Sequence, residues 1–372
     1  MEKKWNGKGY DEKGNIEFEI KNGKGTVIEY KFDDIIFIGE YINGERNGNG
    51  EEYKYNRLTF EGKYLNGQKK GKGKEYYKKG KLKFKGEYLI GKRWNGEGYN
   101  KNGNIEFEIK DGKGLVKEYD DYDNFIFEGD YINGERNGKG KEYENDKLKF
   151  EGEYIYGERN GEGKEYEYGK LVFEGEYLKG KRNGKGKEYN FKSKLKFEGE
   201  YLKGKRNGKG KEYHYYTGKL EYEGEYLNGK KNGKGKEYDD DKLIFDGEYL
   251  NGERNGKGKE YYKTGELIFE GEYLNGKRWN GKGKEYYKTG ELIFEGEYLN
   301  GKRWNGKGKE YYKTGELIFE GEYLNGKRWN GKGKEYYKTG ELIFEGEYLN
   351  GKRWNGKGKE YYKTGELIFE GE

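Results

Sequence analysis

The feature that most limits what this chain can fold into is a Gly-x-Gly pair that returns sixteen times. Its first glycines are Gly7, Gly23, Gly48, Gly71, Gly96, Gly112, Gly138, Gly161, Gly184, Gly208, Gly233, Gly256, Gly281, Gly306, Gly331 and Gly356, usually 23 to 25 residues apart. A self-similar period of this size marks a repeat array, which is one body however long it is, because each unit touches only its neighbours. From Gly271 the period becomes identity. The word GEYLNGKRWNGKGKEYYKTGELIFE begins there and again, unchanged, at Gly296, Gly321 and Gly346. A word one residue shorter, GEYLNGERNGKGKEYYKTGELIFE, begins at Gly247; it lacks the Trp and carries Glu where the later copies carry Lys.

Two spacings are much shorter, Gly7 to Gly23 and Gly96 to Gly112. They belong to matching segments, WNGKGYDEKGNIEFEIKNGKG at Trp5 and WNGEGYNKNGNIEFEIKDGKG at Trp94, which reveal a second, longer duplication. The expected organisation is one continuous array over 1–372, irregular in 1–128, regular in 129–270 and nearly identical from copy to copy in 271–372.

Charged residues make up 40% and apolar ones 30%, a balance that leans towards disorder. Two facts oppose that reading: the net charge is only +6, and there are 42 Tyr, 18 Phe and 6 Trp. The expectation is a folded chain with a thin core. With no Ala and with 69 Gly, long helices are excluded.

Within one word the local signals describe a β-hairpin. ELIFEGEYL is rich in β-branched and aromatic residues, NGKRWNG holds two Asn-Gly turn signals, GKGKEYYK returns, and KTGE turns into the next word. Changes of length fall at these turns, where insertions are tolerated. The strict alternation in NIEFEIK puts Ile16, Phe18 and Ile20 on one face and Glu17 and Glu19 on the other. By the same logic Leu292, Phe294, Gly296 and Tyr298 share an inner face with Gly281, Gly283 and Tyr287, while Lys282, Lys284 and Tyr286 face outward. Glycine inside a strand is costly unless something approaches the backbone. The expected visitor is an aromatic ring lying over the bare glycine. A phosphate cradle would need a helix after the glycines, and none follows. The fold class is therefore all-β: an elongated, solenoid-like, single-layer antiparallel sheet of tandem hairpins. With strands about 4.8 Å apart it advances about 10 Å per hairpin and on the order of 150 Å in all.

FEGEYLNGKRNGKGKEY resembles the MORN repeat (membrane occupation and recognition nexus), here on Phe294, Gly296, Tyr298, Asn300, Gly301, Gly306, Gly308 and Tyr312. The KEYY return strand is closer to the bacterial and viral variant of that repeat. The resemblance spans nearly the whole chain. It departs in the NIEFEIK segments, where Phe18 and Phe107 take the glycine place and the hairpins are expected to be bent or splayed. What the resemblance implies is a binding array: MORN proteins are associated with acidic phospholipids, with tethering and with self-association.

Chemistry for catalysis is nearly absent from the sequence. With no Cys, one Ser (Ser193) and one His (His214), neither a nucleophilic triad nor a His/Cys metal cluster can be assembled. DDYDN at Asp120 and DDDK at Asp239 lack the ligand spacing of a calcium loop. The expectation is no enzyme, no cofactor and no metal. The N-terminal MEKKWNGKGY lacks a signal-peptide core, and no apolar run approaches a membrane span, so the expected location is cytoplasmic, with peripheral membrane contact as an option.

The turn edge is the sharper case. Lys277, Arg278, Lys282 and Lys284 carry no acid among them, a local charge of +4. Stacked hairpins would line up a basic rim of Lys277, Arg278, Trp279 and Lys282, then Lys302, Arg303, Trp304 and Lys307, then Lys327, Arg328, Trp329 and Lys332, then Lys352, Arg353, Trp354 and Lys357. Basic groups near an anionic membrane gain about 1 kcal/mol each, and Trp favours the interface. The alternative is that these groups only keep the edge soluble, each Trp folding over its own hairpin or stacking under Arg. A balanced charge weighs against nucleic acid. The first functional reading is a non-catalytic scaffold or tether that binds a protein partner along the sheet, with self-association through the edge strand 366–372. The second is docking on acidic phospholipid headgroups. The third, suggested by resemblance alone, is an accessory or antitoxin-like module.

Overall fold

A computed structural model describes the chain except residues 1–5, 12, 33, 280, 300–301, 304–305, 325–326, 329–330, 350 and 372, and the side chains of 281 and 354–357. Every regular element among the described residues is a β-strand, and the strands form three sheets in which sequence neighbours lie side by side, antiparallel, in open meanders. The chain divides into two compact units, Met1–Lys181 and Arg182–Glu372.

The repeat is best seen in unit 2, in the hairpin of strands Lys242–Leu250 and Glu253–Tyr261. Asn251 (φ 54°) and Gly252 (φ 100°) form a two-residue turn in the left-handed region, the geometry that suits the right-handed twist of the flanking strands. The second Asn-Gly, Asn255–Gly256, is not a turn. Tyr249 pairs with Arg254 and Gly247 with Gly258, so Asn255, Gly256 and Lys257 together oppose Glu248 as a bulge inside the strand. Gly256 sits at φ 96°, and a Cβ there would lie 2.1 Å from the Glu248 carboxylate.

The core is one residue deep. Gly247 and Gly258 face each other across the hairpin, and the Phe245 ring lies over both, as the sequence led us to expect; a Cβ would come within 2.6 and 2.5 Å of its Cζ. Phe245 is 0% and Tyr249 3% exposed. Phe245 meets Tyr249 edge-on at 5.6 Å and, from the next repeat, Tyr273 at 5.0 Å. The same pair recurs at Phe269–Tyr298, Phe294–Tyr323 and Phe319–Tyr348. Each ring thus bridges two repeats, which is how a thin sheet becomes continuous.

A second bulge corrects one expected face. Tyr286 pairs with Leu292 but Glu285 pairs with Phe294, leaving Ile293 as the extra residue. The bulge reverses the alternation, so Leu292 shares the outer face with Tyr286 and not the inner face with Phe294. A register shift between Gly9 and Tyr10 acts similarly on the first NIEFEIK: Ile20 is buried but Ile16 is exposed.

Unit 1 contains an eight-stranded sheet, from Gly25–Lys31 to Ile105–Ile109, and a meander that starts at Gly114–Tyr119. The duplicated segments build the same corner twice. At the second, Lys110 bridges Lys113, the Gly112 N–H donates to the Trp94 carbonyl at 2.8 Å, and the Gly134 N–H donates to the Gly112 carbonyl at 2.9 Å. The Trp94 ring packs on Gly112. At the first, the Gly44 N–H donates to the Gly23 carbonyl at 3.0 Å. Phe18 and Phe107 cover Gly9 and Gly98 in turn.

Candidate functional site

A single-layer sheet has no second layer to cover its aromatic rings. Arginine supplies that cover. Arg254 lies over Phe245 with its guanidinium carbon 4.1 Å from the ring centre, and Arg278, Arg303 and Arg328 lie over Phe269, Phe294 and Phe319 at 4.4, 4.3 and 4.4 Å. Each guanidinium also joins two glutamates of successive repeats. Arg254 donates to Glu237 and, at 3.0 Å, to Glu260; Arg278 donates to that same Glu260 at 3.0 Å. Arg303 pairs with Glu285 at 2.6 Å and Glu310 at 3.6 Å, and Arg328 with Glu310 at 2.6 Å and Glu335 at 3.4 Å. The result is an alternating charge ladder on the inner face of unit 2. Unit 1 has its own, with Arg46 between Glu29 and Glu52 and Arg159 between Glu142 and Glu165.

The electrostatics follow from this geometry. Burial pushes the Glu188 carboxyl up, but the Arg206 guanidinium and the Tyr201 hydroxyl outweigh it and hold the group below the usual carboxylate range. Burial, then the charge of Glu237, pushes the Tyr249 hydroxyl well above its ordinary value. The inner face is therefore a set of satisfied ion pairs over closed aromatic rings.

The structure separates the rim residues expected from sequence. Lys277, Lys282, Lys302, Lys307, Lys327, Lys332 and Lys352 are exposed. Arg278, Arg303 and Arg328 are not at the rim but over the rings, and Arg353, though more exposed, pairs in the same way with Glu335 and Glu360. Lys284 pairs with Glu295 at 3.4 Å on the outer face. The rim of the repeats at Lys277, Lys302 and Lys327 thus keeps two lysines each, of the four charges counted in sequence. Trp279 is half-buried, and its backbone N–H donates to the Glu272 carbonyl at 2.7 Å. Trp304 and Trp329 lie outside the described residues, as do the side chains of Trp354 and Lys357. Strand Leu367–Gly371 exposes Leu367, Ile368 and Phe369.

Sequence reasoning missed a second feature of the hairpin tips. The residue before each tip turn is Ile or Leu. In repeats without Trp it is exposed: Ile132 and Ile155 in unit 1, and Leu202 (49%), Leu227 (51%) and Leu250 (50%) in unit 2. In repeats that carry Trp its equivalents Leu89, Leu274, Leu299, Leu324 and Leu349 are half-buried. The signal was present as an invariant Leu or Ile before a turn, where a soluble hairpin needs none. The same outer face carries cross-strand ion pairs, Lys259–Glu270 at 3.1 Å and Lys309–Glu320 at 3.2 Å among them.

His214 Nδ1 lies 2.9 Å from the Thr217 hydroxyl within its own turn. Asp120 accepts the Tyr122 and Asn124 N–H groups at 2.8 Å, ordering the DDYDN turn. Among the described residues no group of three acids or histidines is placed to hold a metal ion.

The MORN repeat family model matches residues 37–58, 60–81, 127–146, 150–166, 173–190, 197–215, 222–242, 245–266, 269–291, 294–316, 319–341 and 344–366. No curated protein matches the chain. Among solved structures the chain is similar to a crystal structure of TcdB2-TccC3-TEV, at 11% identity and a TM-score of 0.18, over 97% of this chain and 22% of that one. It is likewise similar to a structure of the Photorhabdus luminescens Tc holotoxin pore, at 12% identity and a TM-score of 0.18, over 97% of this chain and 21% of that one. The chain spans about a fifth of the length of these proteins.

Proposed function

The chain belongs to the MORN repeat family, and we propose that it is a non-catalytic scaffold of the bacterial and viral variant, binding a protein partner along its outer face in the cytoplasm. One observation carries this reading: an apolar side chain is left exposed at the same place in successive repeats, as at Leu202, Leu227 and Leu250. Exposed apolar groups recurring in register amid polar neighbours are the mark of an interaction surface. A partner with matching spacing engages several at once, so modest contacts add up by multivalency.

The test is quantitative affinity capture with the full chain and with a Leu202→Ser, Leu227→Ser, Leu250→Ser variant. Partners specific to the outer face are lost from the variant while its circular dichroism is unchanged. Partners retained in full remove this face as the docking surface.

A second reading rests on the exposed lysines Lys277, Lys282, Lys302, Lys307, Lys327 and Lys332 beside Trp279, which suit acidic phospholipid headgroups. Pelleting with vesicles that contain or lack acidic lipid, at low and high salt, tests it. Equal pelleting on both at low salt discards it.

A further inference from the structure

The array faces repeat, but unit 1 also holds a cleft built from a turn and a sheet that meet at one place. The turn Asp120–Asn124 is tied to the eight-stranded sheet at three points. Asp121 pairs with Lys54, Asp123 accepts the Lys78 N–H at 3.0 Å, and the Lys83 ammonium donates to the Tyr119 carbonyl at 2.8 Å. Between turn and sheet lies a cleft of about 500 Å³, within the range that holds small molecules.

The lining is balanced in formal charge but not in partners. Of its acids, Glu52 pairs with Lys69 at 2.8 Å, Glu75 with Arg93 and Asp121 with Lys54. Asp120 and Asp123 accept backbone N–H groups. Of its bases, Lys83, Lys78 and Arg57 have no carboxylate within ion-pair distance among the described residues. The contrast with a sister repeat is direct. Lys196 holds the place of Lys83, between Leu and Phe, and reaches Glu188 at 3.8 Å. The acid in that place beside Lys83 is Glu75, which like Glu188 is bound by an arginine and a tyrosine, here Arg93 and Tyr88, but makes no ion pair with Lys83. Lys83 is thus a half-buried cation whose contacts are a carbonyl and the Tyr77 ring at 5.7 Å. Burial draws its ammonium below the usual lysine range, the sign of a charge that a bound anion would relieve. Tyr55 and Tyr122 also line the cleft and are mostly exposed, with the Lys78 ammonium 5.2 Å from the Tyr122 ring centre.

We propose that this cleft binds a small organic anion, a carboxylate or phosphate monoester on a compact planar body, with Lys83 at the charged end, Lys78 and Arg57 at the mouth, and Tyr55 and Tyr122 against the planar part. Cations without carboxylate partners supply charge-assisted donors, and the tyrosine faces supply area for a flat ring. The site belongs to the corner between sheet and meander, so it is independent of docking along the outer face.

Calorimetry on the full chain with phenyl phosphate, benzoate and phenol tests this. Phenyl phosphate or benzoate is expected to bind with one-to-one saturation, and phenol not at all. Lys83→Met should weaken binding about tenfold or more, whereas Lys196→Met, its acid-paired counterpart, should leave it unchanged. Arg57→Gln and Lys78→Gln are surface changes that keep the fold and should each weaken binding about threefold. Three results would overturn the assignment: no saturable binding of either anion at millimolar concentration, an affinity unchanged from the native chain in the Lys83 and Arg57 variants, or a loss in the Lys196 variant equal to that in the Lys83 variant.

Discussion

The guanidinium of Arg278 accepts two roles at once: it caps the Phe269 ring at 4.4 Å and joins Glu260, a residue of the preceding repeat. A single layer of sheet can bury aromatic rings because a charged side chain with a flat apolar face closes the open side. Its charge is then neutralised along the array and not across a second layer.

The clearest consequence concerns Arg254. Arg254→Leu removes the cap on Phe245 and leaves Glu237 and Glu260 short of a partner. Because the side chain is partly solvated, the loss should be about 2–3 kcal/mol, below the range for a fully buried pair. Urea denaturation measures it without screening the ion pairs. A change under about 0.5 kcal/mol, the level of an ordinary surface substitution, would show that the ladder is decorative.

Acid should unfold unit 1 through Glu75. Burial alone would raise this carboxyl, but Arg93 and the Tyr88 hydroxyl outweigh burial and draw it down to about 2. A depressed carboxylate contributes stability that is fully present above its unfolded value of about 4.3 and is lost as pH falls from there towards 2. Stability of the native chain should therefore drop by on the order of 2–3 kcal/mol more than that of Glu75→Gln across this window. Parallel pH profiles for the two proteins would contradict the assignment.

The paired glycines can be tested at Gly258. A Cβ there would lie 2.5 Å from the Phe245 ring and 3.0 Å from the Tyr273 ring. Gly258→Ala should cost about 2–3 kcal/mol, as overpacking of a closed core does. In a Phe245→Leu background the same change should cost under about 1 kcal/mol, because the obstructing ring is gone. Equal costs in both backgrounds would locate the strain in the backbone.

Local signals made the hairpins, the Asn-Gly tip turns and the ring-over-glycine packing readable, since each depends on residues close in sequence. The arginine ladder was not readable this way, because Arg278 and Glu260 stand 18 residues apart and meet only when neighbouring repeats pair. In sequence Arg278 sits between a Lys and a Trp beside a turn signal and looks like part of a basic rim. The two Asn-Gly pairs of a word also look alike, yet in the shorter word it is Asn251–Gly252 that turns the chain. The second, Asn255–Gly256, lies in a bulge that appears only once Gly247 is paired with Gly258. The unplaced residue at Ile293 moved Leu292 to the other face for the same reason.

That bulge gives the inserted Trp a testable meaning. Without Trp the return strand Glu253–Tyr261 is continuous; in the repeat of Trp279 it divides into Lys277–Arg278 and Gly281–Tyr286, whereas the Trp94 and Trp354 repeats keep single strands, Lys92–Tyr99 and Lys352–Tyr361, and Tyr273 still pairs with Arg278 and Phe269 with Glu285. The insertion is absorbed in the bulge and the ladder keeps its register. Deleting Trp279 should restore the shorter word, change stability by no more than about 1 kcal/mol, and make the amides between Arg278 and Gly283 more resistant to hydrogen exchange. It should also expose Leu274 to the level of Leu250, raising the binding of a hydrophobic dye. Trp279→Ala retains the extra residue but loses the indole. It should expose Leu274 equally, without the gain in protection, and should cost about 1–2 kcal/mol of buried apolar area. If deletion instead unfolds the late repeats, Trp279 serves the fold. If both variants expose Leu274 and leave the array intact, the Trp is a cover that withdraws an apolar docking group from some repeats and leaves it open in others.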